Sequence, residues 1–338
     1  MGLPTRSAAS LTDYLTSYSE NYLNTTPLNQ AWTNTVVLDR LLGAAQEADG
    51  GNELVLPVMD GYTPAGSSYG AGSTLNIVHV NHVTQARYQF KQVYEPAYLD
   101  DVLMDKATGA GAKLRYVEGQ LDRSKMAISE SVALQLCAPT TGVALDGSPN
   151  ITALLDIVKA TGLIGGMNPS IAGQQFWQSF SNLAVGSFLT NGPGVMRTAY
   201  NAVTKYKLLG APNVIFCSDV AYKAFETSGM ALQTVFNTSG TPPGADLGIK
   251  PGGLHYKGIP LEYDPHLDQL EATLNGVMIW VNTKGVFLAP RAGKTFKVDP
   301  WVNMLPSGRK ALGTVVTFVG ELVCQARSPN AILAGITA

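Results

Sequence analysis

The sequence predicts an α+β protein, on three observations. A long stretch of alternating polar and apolar residues precedes one long amphipathic helix. A helix–strand–helix run stands in the middle of the chain, and short apolar strands fill its last quarter. Strands and helices grouped in blocks fit an α+β protein.

Residues 1–27 are polar and rich in Ser, Thr, Asn and Tyr, with Leu11, Leu15 and Tyr18 spaced for a short helix inside an arm. Residues 28–47 predict a helix: Leu28, Trp32, Val36, Leu38 and Leu42 recur, and Asp49-Gly50-Gly51 stops it. Glu53 to Met59 reads as extended, Asp60 to Thr74 as a tip rich in Gly, Ser and Pro, and residues 75–94 as extended again. Within the return strand Thr84, Ala86, Tyr88 and Phe90 share one face, and Gln85, Arg87, Gln89 and Lys91 share the other. A two-stranded ribbon is marginal alone in water, so it must lie on its own core or on a neighbour.

Pro96 predicts the start of a short helix ending near Gly109. Residues 113–137 read as one long helix carrying Leu114, Val117, Leu121, Ile128, Val132 and Leu136, ended by Pro139. Residues 139–190 are irregular, with a helix at about 151–161. Asn191, Pro193 and Gly210 bracket a further helix; Asn213 to Cys217 is a buried strand, and Ser218 or Asp219 caps a helix through Phe225. Residues 237–253 form a Gly/Pro loop, followed by strands at 254–264, 276–282, 285–290 and about 312–325. Val277–Val281 and Val286–Ala289 read as a hairpin joined by Asn282-Thr283-Lys284-Gly285.

Composition narrows the function classes. Hydrophobic residues make up 45% and charged residues only 14%, beside 35 Gly and 19 Pro. So little charge suggests that much of the surface is covered, most simply by further copies of the chain. A formal net charge of −2 argues against a dedicated nucleic-acid binder, though not against passive contact with DNA. Cys137, Cys217 and Cys324 are odd in number, widely spaced and set in apolar runs, so they read as buried hydrophobes in a reducing compartment. Met1 to Leu11 carries no apolar signal core, and no run of about 18 apolar residues predicts a membrane span.

Catalytic patterns are weak. His79 and His82 stand three apart in a predicted strand, on opposite faces, and cannot share a metal ion. Glu95, Asp100, Asp101 and Asp105 cluster around the predicted short helix and read as a solvated face. Gly109, Gly111 and Lys113 lack the spacing of a phosphate loop, and Gly66, Gly70 and Gly72 lack that of a dinucleotide fingerprint. Lys113, Arg115, Arg123 and Lys125 interleave with Glu118, Asp122 and Glu130 as a mixed-charge helix face. The sequence therefore predicts no catalytic residue, no metal site and no cofactor.

Several segments resemble a known family. Asp49-Gly50-Gly51-Asn52-Glu53-Leu54-Val55-Leu56-Pro57-Val58 is similar to the Gly-Gly-x-Glu run that opens the extended loop of tailed-phage major capsid proteins. Tyr256-Lys257-Gly258-Ile259-Pro260-Leu261-Glu262-Tyr263-Asp264-Pro265 resembles the family's Gly-Ile-Pro and Asp-Pro passage. Val277-Met278-Ile279-Trp280-Val281-Asn282-Thr283 resembles its strand followed by Asn-Thr. Gly320-Glu321-Leu322-Val323-Cys324, then Arg327 and Ala331-Ile332-Leu333, resembles its closing run. The matches keep their order across residues 28–335.

The resemblance implies the Johnson fold, also called Hong Kong ninety-seven-like. Residues 1–49 would be the N-terminal arm and first helix, 50–93 the E-loop, and 94–189 the P-domain with its spine helix. Residues 190–275 would be the A-domain, and 276–338 closing strands shared by both. The implied function is a shell subunit that assembles as hexamers and pentamers into an icosahedral virion capsid around double-stranded DNA, built in the host cytoplasm. An encapsulin-type compartment is the alternative. Implied partners are further copies of the chain, scaffolding, portal and cement or decoration proteins, and DNA held non-specifically on the inner face; no membrane is implied. Residues 51–90 contain no lysine, so the covalent E-loop cross-link of some relatives is not expected. Only about 27 residues precede the first core helix, which leaves a separate scaffold protein or none. Tyr62, Tyr69, Arg87, Tyr88 and Phe90 are candidate intersubunit contacts of the E-loop, and Lys250 of the axial loop; packing within their own chain is the alternative for the aromatic anchors.

Overall fold

The computed structural model describes residues 34–51, 53–59, 72, 83–101, 104, 110–137, 150–205, 209–236, 247–250, 253–305 and 310–337. The expected arm helix within 1–27, the ribbon tip, Pro139, and both His79 and His82 lie outside them.

Along the chain come α1 (Val36–Gly43), β1 (Glu53–Met59), β2 (Val83–Gln89), β3 (Lys91–Asp100) and α2 (Ala110–Cys137). Then follow α3 (Leu154–Val158), β4 (Phe180–Asn182), β5 (Gly186–Ser187), α4 (Phe188–Thr204), β6 (Val214–Cys217) and α5 (Asp219–Phe236). Next are β7 (Leu247–Lys250), β8 (Gly253–Tyr256), β9 (Ile259–Tyr263), a 3-10 turn (Pro265–Leu270) and α6 (Glu271–Leu274). The chain closes with β10 (Gly276–Val281), β11 (Val286–Pro290), β12 (Lys297–Val298), β13 (Val302–Asn303), β14 (Ala311–Cys324) and β15 (Ala331–Thr337). The α+β expectation holds.

Two compact units share these elements: residues 92–132 with 293–319, and residues 34–91 with 133–292 and 320–338. In the first, β3, β12 and β13 pair with β14. Most of α2 belongs here. Tyr116, Ser124, Ile128 and Val132 are buried at spacings of four and eight, which keeps them on one stripe of the helix. Ser124 Oγ donates to the carbonyl of Pro96 at 3.3 Å, and Phe296 packs on Phe318 with ring centroids 5.2 Å apart. The 28 residues of α2 make a rod of roughly 42 Å.

The second unit is built on a mixed sheet in the order β4-β15-β10-β6-β9-β8-β7, with β5 also on β15. Every residue of β6 and β10 is buried. Such continuous apolar runs, Val-Ile-Phe-Cys and Gly-Val-Met-Ile-Trp-Val, are what a strand covered on both faces requires. Phe188, Met196, Ala199 and Val203 of α4 and Ala221, Ala224 and Phe225 of α5 pack with Ile215, Cys217, Met278, Trp280 and Leu333 into one core.

Several expected elements differ. The first helix stops at Gly43, because the next residues pair with β11: Gln46 donates to the Leu288 carbonyl and Ala48 to that of Pro290. Pro96 starts no helix. It lies exposed inside β3, where Val93, Ala97 and Leu99 turn inward, and a strand with one paired edge tolerates the missing N–H. The acidic cluster accordingly borders a strand; Asp101 pairs with Lys310 at 2.9 Å, and Asp105 lies outside the described residues.

Asn191 is not a cap. Helix α4 begins at Phe188, whose ring is buried against Phe225, and Asn191 Nδ2 donates back to the Val185 carbonyl at 3.0 Å. Helix α5 runs through Thr227-Ser228-Gly229 to Phe236 instead of ending at Phe225. The Gly/Pro loop contains β7, and the strand expected at 254–264 is the hairpin β8–β9. Its turn residues Lys257 and Gly258 have φ of 49° and 84°, the mirror-image turn that matches strand twist. By contrast, β10 and β11 form no hairpin. The turn closes, with Gly285 N bonding the Asn282 carbonyl, but residues 282–285 have no positive φ and the strands splay into different sheets.

Candidate functional site

The ribbon β1–β2 is antiparallel, with Leu54 opposite Tyr88, Val55 opposite Arg87, Leu56 opposite Ala86 and Met59 opposite Val83. Directly opposite residues share a face. Val58, Ala86 and Tyr88 are buried on one face, with Leu54, Leu56 and Thr84 half-buried beside them. The other face is open: Val55 is 48% exposed, Val83 54% and Met59 68%, with Pro57, Gln85 and Arg87 exposed among them. Three apolar side chains thus stand exposed on one face of the strand pair.

The ribbon's base is fixed to its own unit. Arg87 N donates to the Gly165 carbonyl at 3.0 Å. Tyr88 Oη donates to the Cys324 carbonyl at 2.8 Å and accepts from the Cys324 amide at 3.2 Å. Burial raises the Tyr88 phenol well above its ordinary pKa, so it stays a neutral donor and acceptor. The expected alternation stops at Phe90, which is half-buried between strands. Lys91 is buried, not exposed with Gln85 and Arg87.

Charged groups hold neighbouring segments. Arg327 is 1% exposed, and its guanidinium donates to the carbonyls of Asp156, Ile157, Lys159, Gly162 and Trp177. Glu321 is fully buried; its Oε1 accepts from Thr152 N at 2.7 Å and Leu322 N at 3.0 Å. Burial pushes this carboxyl up to about 7, against the backbone donors and the nearby charge of Lys91. Buried Asp264 accepts from Val37 N, from His266 N and at His266 Nδ1, which ties α1 to the turn after β9. The Asp264-Pro265 passage of the sequence is thus a cap and a staple.

The candidate contact residues do not converge. Tyr62 and Tyr69 lie outside the described residues. Arg87 is exposed on the open ribbon face, 4.0 Å from Glu53, while Phe90 sits at the end of β2. Tyr88 is a correction: its own chain covers it completely, so no surface remains for a neighbour. Lys250 ends β7 opposite Gly253. Sequence reading missed Val55, Met59 and Val83; the signal was present as apolar residues at period two on the face that lacks the aromatic anchor.

Among the described residues, no three His, Cys, Asp or Glu side chains are placed to hold a metal ion, and no helix is long and apolar enough to cross a membrane. All three cysteines are buried free thiols. Burial pushes Cys324 up to about 12 and raises Cys137 and Cys217, which removes their thiolates at neutral pH.

No protein-family model and no curated protein matches the chain. Solved structures do. A cyanophage A-1(L) capsid chain aligns at a TM-score of 0.66 and 12% identity, covering 95% of this chain and 97% of its own. The holo-SrpI encapsulin complex from Synechococcus elongatus PCC 7942 gives 0.58 at 13% identity, covering 99% and 97%. The capsid of a native GTA particle gives 0.57 at 11% identity, covering 99% and 100%. At these identities the likeness is one of fold, and the fold of this chain is that of the capsid and encapsulin shell subunits.

Proposed function

We propose that the chain is the major capsid protein of a tailed phage, a shell subunit that assembles as hexamers and pentamers around double-stranded DNA. The observation that carries this reading is the near end-to-end likeness to a cyanophage capsid chain, in which both chains are almost wholly covered. In this reading residues 1–49 are the N-terminal arm and first helix, and 50–93 the E-loop whose root is β1–β2. Residues 94–189 are the P-domain with α2 as spine, 190–275 the A-domain, and 276–338 the closing strands.

The open ribbon face supports the reading, because a ribbon pinned at its base and apolar on its outer side gains stability by lying on a sister subunit. Arg87 is then a rim contact, and the β7–β8 hairpin, with Lys250 at the end of β7, faces the capsomer axis. A portal, a separate scaffold protein where one is used, and a cement or decoration protein are the partners that fit this reading, and the virion, assembled in the host cytoplasm, is its place.

Negative-stain microscopy of the purified, overexpressed chain tests this. Shells, rings or tubes are expected; a strict monomer at high concentration, which no partner drives to assemble, overturns it. The encapsulin likeness favours a second reading, a protein compartment with enclosed protein cargo. Particles from the native source decide between the two: enclosed DNA supports the phage shell, enclosed protein the compartment.

A further inference from the structure

Glu321 joins three segments that the sequence separates widely. It stands in β14, bonds the amide of Thr152 ahead of α3, and lies within electrostatic reach of Lys91, which follows the ribbon. Its two oxygens are treated differently. Oε1 takes both backbone donors, whereas Oε2 has no hydrogen bond of normal geometry; the buried Thr152 hydroxyl is beside the carboxyl and acts on it without making one either. A buried carboxylate oxygen without a donor is costly when charged and accommodated when it carries a proton.

The surrounding groups define the balance. The ribbon side contributes buried Lys91 and the neutral phenol of Tyr88, which itself senses Glu321. The same strand contributes the neutral thiol of Cys324. Beyond it, Arg327 is bound by five backbone carbonyls and lies within electrostatic reach of Asp156. Near Thr152, the carboxylate of Asp156 is bound by Lys159 at 2.8 Å. The facing strand β11 is apolar, with Ala289 opposite Glu321. Two amides, the Thr152 hydroxyl and Lys91 favour the charged form; burial opposes them and prevails.

We propose that Glu321 is a proton-linked latch at the ribbon root: the neutral acid holds the Thr152 segment and β14 closed beside the ribbon base, and its ionisation loosens them. The closed root holds a proton that a solvated carboxyl releases, the group being raised from 4.5 to about 7. Closure is therefore fully favoured below the ordinary glutamate value and is lost as pH rises through about 7. This inference rests on the fold alone and is independent of the shell reading.

Hydrogen exchange of the full chain between pH 5.5 and 8.5, corrected for intrinsic rates, tests it. Protection of the Thr152 and Leu322 amides is expected to fall roughly tenfold or more across that window, while β10 stays constant. Glu321→Gln, which mimics the neutral acid, holds both amides protected at every pH. Lys91→Met moves the midpoint upward, since the charge that favours ionisation is gone. A flat wild-type profile, an unshifted midpoint in Lys91→Met, or a pH dependence that survives in Glu321→Gln overturns the latch. Should Glu321→Gln fail to fold, the wild-type and Lys91→Met series decide the question alone.

Discussion

Tyr88 and Cys324 exchange two hydrogen bonds across 236 residues of chain: the phenol donates to the carbonyl at 2.8 Å and accepts from the amide at 3.2 Å. One hydroxyl thereby satisfies both backbone groups of a buried residue in β14 and fixes the base of the ribbon.

Tyr88→Phe removes that hydroxyl and leaves a buried N–H and C=O without partners. A loss of about 1–3 kcal/mol is expected, the cost of stranding buried polar groups. Urea unfolding measures it; a variant as stable as the wild type would show that water or strand pairing replaces the phenol.

Gly165 supports the same residue from below. Its φ is +60°, and a Cβ there would stand 2.9 Å from Ala86 Cβ and 3.0 Å from Tyr88 Oη. Gly165→Ala is expected to cost about 1–3 kcal/mol through the clash and the left-handed backbone. Because part of the clash is with the hydroxyl, the pair Gly165→Ala and Tyr88→Phe should cost less than the sum of the singles. Strict additivity in a double-mutant cycle would refute this coupling.

Periodicity made much of this legible. The ribbon strand Glu53–Met59, the face shared by Ala86 and Tyr88, the long helix and the apolar strands β6, β10 and β14 all follow from alternation, helical spacing or continuous apolar runs. What failed was set by distant partners. Residues 44–47 have helix-forming composition, yet Gln46 bonds Leu288. Pro96 looks like a helix start, yet β14 pairs with its strand. Asn282 to Gly285 looks like a hairpin turn, yet each flanking strand finds its partner elsewhere. Among the candidate contacts the sequence offered Tyr88, which its own chain covers completely, because an aromatic in an alternating strand carries no mark of which face is covered.

Arg327 concentrates five carbonyl contacts from residues 156–177 on one buried guanidinium. Arg327→Met strands those carbonyls and is expected to cost about 3–5 kcal/mol. Arg327→Lys keeps the charge but loses the planar fork, so it should recover only part of that loss. Chemical denaturation of both variants ranks them; equal stability of Met and Lys variants would assign the effect to charge-independent packing.

The open ribbon face separates folding from assembly. Val55, Met59 and Val83 are exposed, so Met59→Glu and Val83→Glu should change the unfolding free energy by no more than about 0.5 kcal/mol. If a sister subunit covers this face, each new carboxylate is buried without a partner on association, and the cost recurs at every copy of the contact. Shell formation should then fail or need far higher protein concentration, while the monomer melts normally. Light scattering and microscopy of the two variants read the first effect, and thermal unfolding of the unassembled chain reads the second. Variants that assemble at wild-type concentration would mean that the ribbon's outer face stays in water in the shell and that the subunits hold one another elsewhere.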